Sequence, residues 1–132
     1  MRIILVLTLF IFNLSFATVI FNSEKKEYKE NENICFYLKN NSNNIIFLPS
    51  SAPWAVFEDE KFEKIIYSPI SSQVIVKLNP NQEKKWCWKQ ENFKNKKVSA
   101  GEYTIRITYF ENGKRKFATF KVKIVSDYSD AK

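Results

Sequence analysis

The sequence predicts an all-β fold, an antiparallel β-sandwich of seven to eight strands. Three features of the chain predict it. Apolar and polar residues alternate with a period of two in segment after segment. Turn-forming Asn, Pro, Gly and charged clusters separate these segments about every 8–15 residues. No segment sustains the 3.6-residue period of an amphipathic helix. One-sided alternation leaves each sheet with one apolar face, and two such faces must cover each other.

The strands read in order as follows. Ile34, Phe36 and Leu38 alternate with Cys35, Tyr37 and Lys39, and Asn40 to Asn44 forms a turn cluster. Ile45 to Leu48 is a short apolar run that stops at Pro49. Val56-Phe57 enters a charged turn at Glu58 to Lys61, and Lys64 to Tyr67 leaves it. Val74, Val76 and Leu78 alternate with Ile75 and Lys77, then Asn79-Pro80-Asn81 breaks the run. Trp86 and Trp88 flank Cys87. Tyr103, Ile105, Ile107 and Tyr109 alternate with Thr104, Arg106 and Thr108. Glu111-Asn112-Gly113-Lys114 is a hairpin signal, because Asn-Gly accepts the two positive φ angles of a type I′ turn. Ala118, Phe120, Val122 and Ile124 form the last alternating set.

Composition narrows the chemistry. The 132-residue chain has 21 Lys+Arg, 14 Asp+Glu, two Cys, two Gly and no His. Without His there is no Ser-His-Asp or Cys-His nucleophile and no imidazole base. Two Cys alone close no structural zinc site, and two Gly make no phosphate-cradling loop. Paired carboxylates remain as acid–base chemistry, but the acids lie in turns beside Lys and no pair stands out. No catalytic residue, metal ligand or cofactor is therefore expected.

The N-terminus has the plan of a secretory signal peptide. Met1-Arg2 is basic, Ile3 to Phe12 is almost wholly apolar, and Ser15-Phe16-Ala17 puts small residues at a cleavage point after Ala17. The expected organisation is a leader over 1–17, one sandwich domain over 18–126 and a polar tail over 127–132. Localisation is accordingly expected to be secreted or in the periplasm or cell envelope, with no stable membrane insertion once the leader is removed. In an oxidising compartment, Cys35 and Cys87 become a candidate disulfide. An antiparallel pairing of their strands would set Phe36 against Trp86 and Ile34 against Trp88 on the buried face. The two Cys would then oppose each other on the outer face, within bridging distance.

Four pieces of the chain carry a family resemblance. They are Phe36 to Ser42; Ser51-Ala52-Pro53-Trp54-Ala55-Val56 followed by Ile66-Tyr67-Ser68-Pro69; Leu78-Asn79-Pro80 with Trp86 to Gln90; and Val98-Ser99-Ala100-Gly101-Glu102-Tyr103-Thr104-Ile105. Together they resemble secreted immunoglobulin-like domains, in particular the BsuPI-type proteinase inhibitor family, over about residues 30–110. The resemblance implies an immunoglobulin-like sandwich and a protein partner, with a protease as the specific class. The family's founding activity acts on an intracellular serine protease, whereas this chain reads as exported. No motif marks a reactive-site residue.

Several segments have two readings. The loop Pro49 to Trp54 is restricted by two prolines, and an exposed Trp54 beside Ser51 and Pro53 would be a binding hot spot. The same Trp54 would cap the core if it opened the next strand. Trp86 and Trp88 are core residues or an aromatic platform. Tyr103 resembles a tyrosine corner. Lys84-Lys85, Lys89, Lys94, Lys96-Lys97 and Lys114-Arg115-Lys116 form a solvated basic face or a polyanion site. Lys predominates there and export argues against nucleic acid, so no nucleic-acid partner is expected. Glu58, Asp59, Glu60 and Glu63 make a charged turn or a calcium site. Asn40-Asn41-Ser42 is a turn or a glycosylation acceptor. The functional expectation is an exported, non-catalytic binding module acting through loops at one end of the sandwich. The alternative is an envelope component assembling with other chains.

Overall fold

The computed structural model describes residues 18–126. The leader and the polar tail expected from the sequence lie outside the described residues. The fold is all-β. Ten strands are present among the described residues: β1 (Val19–Ser23), β2 (Glu27–Lys29), β3 (Ile34–Asn40), β4 (Ile46–Leu48), β5 (Trp54–Phe57), β6 (Ile65–Tyr67), β7 (Val76–Leu78), β8 (Glu83–Trp88), β9 (Gly101–Glu111) and β10 (Lys114–Val125). No helix among them is long and apolar enough to cross a membrane.

Two sheets form the sandwich. One runs β1-β3-β8, and the other runs β2-β10-β9-β4-β7 with β5 also on β9 and β6 on β5. This is an immunoglobulin-like arrangement, with β1, β3 and β8 in the places of A, B and E, and β10, β9 and β4/β5 in those of G, F and C. The strand count exceeds the expected seven to eight through β1 and β2, which precede the segments read from the sequence. β4 and β5 lie end to end along β9, as Phe47 pairs with Phe110 and Trp54 with Ile107. Pro49 and Pro53 interrupt them, since proline has no N–H to give the ladder. Instead the Pro53 carbonyl accepts from Thr108 N–H at 3.0 Å.

The first twelve described residues were not readable as strands, because their apolar runs are short. β1 pairs antiparallel with β3, then the polar break Glu24-Lys25-Lys26 carries the chain across to the other sheet. There β2 lies parallel to β10, a correction to a wholly antiparallel sandwich. The crossing buries Tyr28, whose hydroxyl accepts from Lys25 N–H at 3.0 Å.

The pairing of β3 with β8 has the register read from the sequence: Ile34 with Trp88, Cys35 with Cys87 and Phe36 with Trp86. Cys35 and Cys87 form a disulfide, with Cα atoms 4.0 Å apart. Cys35 is half-buried and Cys87 exposed, so the bridge staples the outer face. Inside, Phe36 meets Trp54 edge-to-face at 4.9 Å, and Phe120 meets Phe21 likewise at 4.8 Å. Such contacts add to area burial. The β9–β10 hairpin turns at Asn112 (φ 53°) and Gly113 (φ 76°), both positive as the Asn-Gly signal requires.

Candidate functional site

The loop between β4 and β5 is held from two sides. Ser51 Oγ accepts from Ser72 N–H at 2.9 Å, and the Ser51 carbonyl accepts from the Trp86 indole at 3.0 Å. Ser51 and Pro53 are half-buried. Trp54 is only 4% exposed and opens β5. Its ring packs on Phe36 and Tyr67, which corrects the picture of an exposed indole anchor. The strand register decides this, because Trp54 shares the inward face with Val56. Its buried Nε1–H has no hydrogen-bond partner among the described residues.

The loop separates two open grooves. One, of about 480 Å³, is lined by Phe47, Leu48, Pro49, Ile75 and Phe110. It is apolar, and Ile75 on its rim is 74% exposed. The other, of about 300 Å³, is lined by the loop from Ala52 to Ala55, by Pro49, by Ser68-Pro69, and by Arg106 and Thr108 of β9. Arg106 is its charged member. The Arg106 guanidinium lies 4.9 Å from the Phe57 ring centroid, 4.8 Å from Phe62 and 4.6 Å from Phe117. Arg115 shares the Phe117 ring at 5.7 Å. Burial, and then the neighbouring Arg115 charge, hold Arg106 below the usual arginine pKa.

Sequence reasoning found the loop but not the grooves. Alternation alone puts Arg106, Thr108 and Phe110 on the outer face of β9. Nothing in the spacing joins Arg106 to Phe57, Phe62 and Phe117, which come from three separate segments.

The other candidate segments resolve into structural roles. Trp88 is buried and its indole donates to the Glu91 carbonyl at 2.9 Å. Trp86 is half-buried against the core. Tyr103 donates its hydroxyl to the Ser99 carbonyl at 2.6 Å, the loop tie of a tyrosine corner. Asn40 is fully buried, so it is not a glycosylation acceptor. Its amide donates to the Asn44 and Leu78 carbonyls at 2.7 and 2.9 Å, and its oxygen accepts from Ser42. In the acidic turn, Asp59 accepts from Lys61 and Glu63 N–H, while Glu58 pairs with Lys64 and Glu60 with Lys121. No cluster of three or more candidate metal ligands is present among the described residues. Of the basic residues, Lys85, Lys97 and Lys116 pair with Glu83, Glu91 and Glu111.

Glu111 is the most buried acid of the domain, at 2% exposure. Asn44 Nδ2 donates to it at 3.1 Å and Lys116 Nζ at 3.0 Å. The Asn44 hydrogen bond is the largest influence, and with Lys116 it outweighs burial and lowers the carboxyl pKa.

No family model matches the chain, and no curated protein matches it in sequence. Solved structures are similar to it at low identity. The Pseudomonas fluorescens alkylpurine DNA glycosylase AlkC, bound to DNA containing an abasic site analog, is 11% identical over 82% of this chain, with a TM-score of 0.40. The ASH/PapD-like domain 7 of human CEP192 is 15% identical over 83% of this chain and 84% of its own, with a TM-score of 0.39. A mutant β-glucosidase from Listeria innocua, in complex with laminaribiose, is 14% identical over 81% of this chain, with a TM-score of 0.39. The chain spans 30% of the glycosylase and 16% of the glucosidase. Likeness at this level transfers no activity, substrate or partner.

Proposed function

We propose that this chain is an exported, non-catalytic binding module that takes a protein partner at the Pro49–Trp54 loop and the grooves on its two sides. The observation that carries the reading is the loop itself. Two prolines and the hydrogen bonds at Ser51 restrain it, so little entropy is lost on binding. It borders one apolar groove and one that holds a guanidinium. The Cys35–Cys87 bridge fits an oxidising compartment, in keeping with export. Inhibition of a protease is the specific form that the resemblance to BsuPI-type inhibitors suggests.

The test uses the purified protein and a Phe47→Asp variant, which places a charge in the apolar groove at an exposed strand position. Both are titrated against a panel of serine proteases and used to capture partners from the native exported fraction. The expected result is a complex with wild type that Phe47→Asp weakens. Absence of inhibition across the panel removes the inhibitor form. Absence of any specific complex removes the binding module.

A second reading, assembly with other chains as an envelope component, rests on the open edges of the three-stranded sheet at β1 and β8. A strict monomer in size-exclusion chromatography at high concentration removes it.

A further inference from the structure

The outer face of the larger sheet holds two arginines without counter-ions. The ion pairs described in the domain join Lys to Glu. Arg106 and Arg115 have no carboxylate partner among the described residues; their neighbours are aromatic rings and each other. A half-buried guanidinium without an anion is costly, and a like charge beside it adds to that cost. The rings of Phe57, Phe62 and Phe117 offset part of it through cation–π contact. They leave unused the planar fork of N–H donors, which matches a carboxylate.

We propose that Arg106 and Arg115 form a docking site for an acidic, extended segment of a partner protein, whose carboxylates they receive. Charge complementarity selects the occupant. The chain carries a formal net charge of +7, and on this face Lys121 and Lys123 are paired with Glu60 and Glu27 whereas the two arginines are not paired. The surroundings select a protein segment over a sulfated glycan or nucleic acid. Phe117 is 48% exposed beside both guanidiniums, and the Arg106 groove adjoins the apolar groove at Pro49. Carboxylates alternating with apolar side chains satisfy both features, whereas a polyanion leaves the apolar surface wet. Arginine with aromatic neighbours is also the composition that dominates protein interfaces. Thr108 lines the same groove and supplies a hydroxyl for the partner's backbone.

The site rests on the reading of the chain as a binding module, and the two fail separately. The probe is a fluorescein-labelled peptide of alternating Glu and Leu, followed by fluorescence anisotropy on the purified protein. A Gln-Leu peptide and a heparin oligosaccharide are the comparisons. Wild type is expected to bind the Glu-Leu peptide. Arg106→Gln, Arg115→Gln and the Gln-Leu peptide are each expected to weaken binding roughly tenfold or more. Arg106→Lys keeps the charge without the fork and falls between. Lys94→Gln, at an exposed position away from the face, leaves affinity unchanged. Thermal melting confirms that each variant is folded, and Arg115→Gln and the Gln-Leu peptide decide the matter if Arg106→Gln is not. Equal affinity for the Glu-Leu and Gln-Leu peptides overturns the proposal, as does failure of the Glu-Leu peptide to bind. Tighter, arginine-dependent heparin binding assigns the site to polyanions and overturns it too. A partner captured from the exported fraction that Phe47→Asp loses but both arginine variants retain leaves the binding module standing and the carboxylate site refuted.

Discussion

Asn40 shows how a single side chain organises one end of the domain. Its amide donates to carbonyls on the Asn44 turn and on β7, and its oxygen accepts from Ser42. Asn40→Asp replaces the two donors with a carboxylate that faces two carbonyl oxygens. A loss of about 3 kcal/mol or more is expected, read from the chemical denaturation midpoint. Asn40→Ala removes the same bonds without adding a buried charge and is expected to cost less. If the two variants are equally stable, the amide donors are not what holds this corner. The triplet Asn40-Asn41-Ser42 was readable as a turn, yet its depth was not. Burial of Asn40 depends on β7, whose Leu78 carbonyl lies 38 residues away in sequence. Trp54 carries the same lesson. Its two prolines were visible, but the inward direction of its ring follows from the register with Ile107. Arg106 was readable only as an outward residue of a strand, because its ring partners are assembled by the fold.

Strands with a strong alternating pattern were readable together with their register. The β3–β8 pairing follows from packing alone, since a slip of one residue would turn Phe36 and Trp88 outward. The disulfide is a consequence of that register. Cys35→Ser with Cys87→Ser is expected to retain the β-sheet circular dichroism and lose roughly 4 kcal/mol under oxidising conditions. Wild type should have a mass two protons below the reduced chain, a difference absent from the double variant. The β9–β10 hairpin was equally plain, because Asn112-Gly113 leaves few other turn types. Gly113→Ala meets no atom within 4 Å, so its cost comes from the backbone alone. At φ 76° that cost is about 1 kcal/mol in unfolding free energy, and a neutral result would show that the turn has changed type. The short elements were readable only in part. Of the three-residue strands, β4, β6 and β7 were read as short runs bounded by turns, whereas β2 has too few residues for a period to declare itself. The passage of the chain from one sheet to the other after Ser23 is a matter of tertiary packing, and nothing local marks the parallel partner of β2.

The two sheets also depend on each other through Glu111, and this makes the cohesion of the domain depend on pH. Thr18 precedes β1 of the smaller sheet, and its hydroxyl meets that of Tyr109 on β9 at 3.1 Å. Thr18 also contributes to holding the Glu111 carboxyl charged, beside Asn44 and Lys116. The Thr18 carbonyl accepts from Asn41 N–H at 3.0 Å, which ties the same corner to the end of β3. The charged carboxylate is thus part of the joint between the sheets. Its pKa in the folded protein lies below the ordinary value of 4.5. A depressed folded pKa contributes stability that is fully present above the unfolded value. That stability is lost as pH falls from about 4.5 through the folded pKa. Wild type is therefore expected to lose unfolding free energy as pH falls below about 4.5. Glu111→Gln should be less stable at neutral pH by about 2 kcal/mol, because the amide has one acceptor oxygen for the two donors Asn44 and Lys116 and no charge to pair with Lys116. Over the acid window its stability should fall less than that of wild type. The remaining slope belongs in part to Glu32, whose pKa is lowered first by the Lys29 backbone N–H. Urea denaturation of both proteins at neutral and acid pH makes the comparison. Parallel acid losses in wild type and Glu111→Gln would place the pH sensitivity elsewhere and remove Glu111 from the joint.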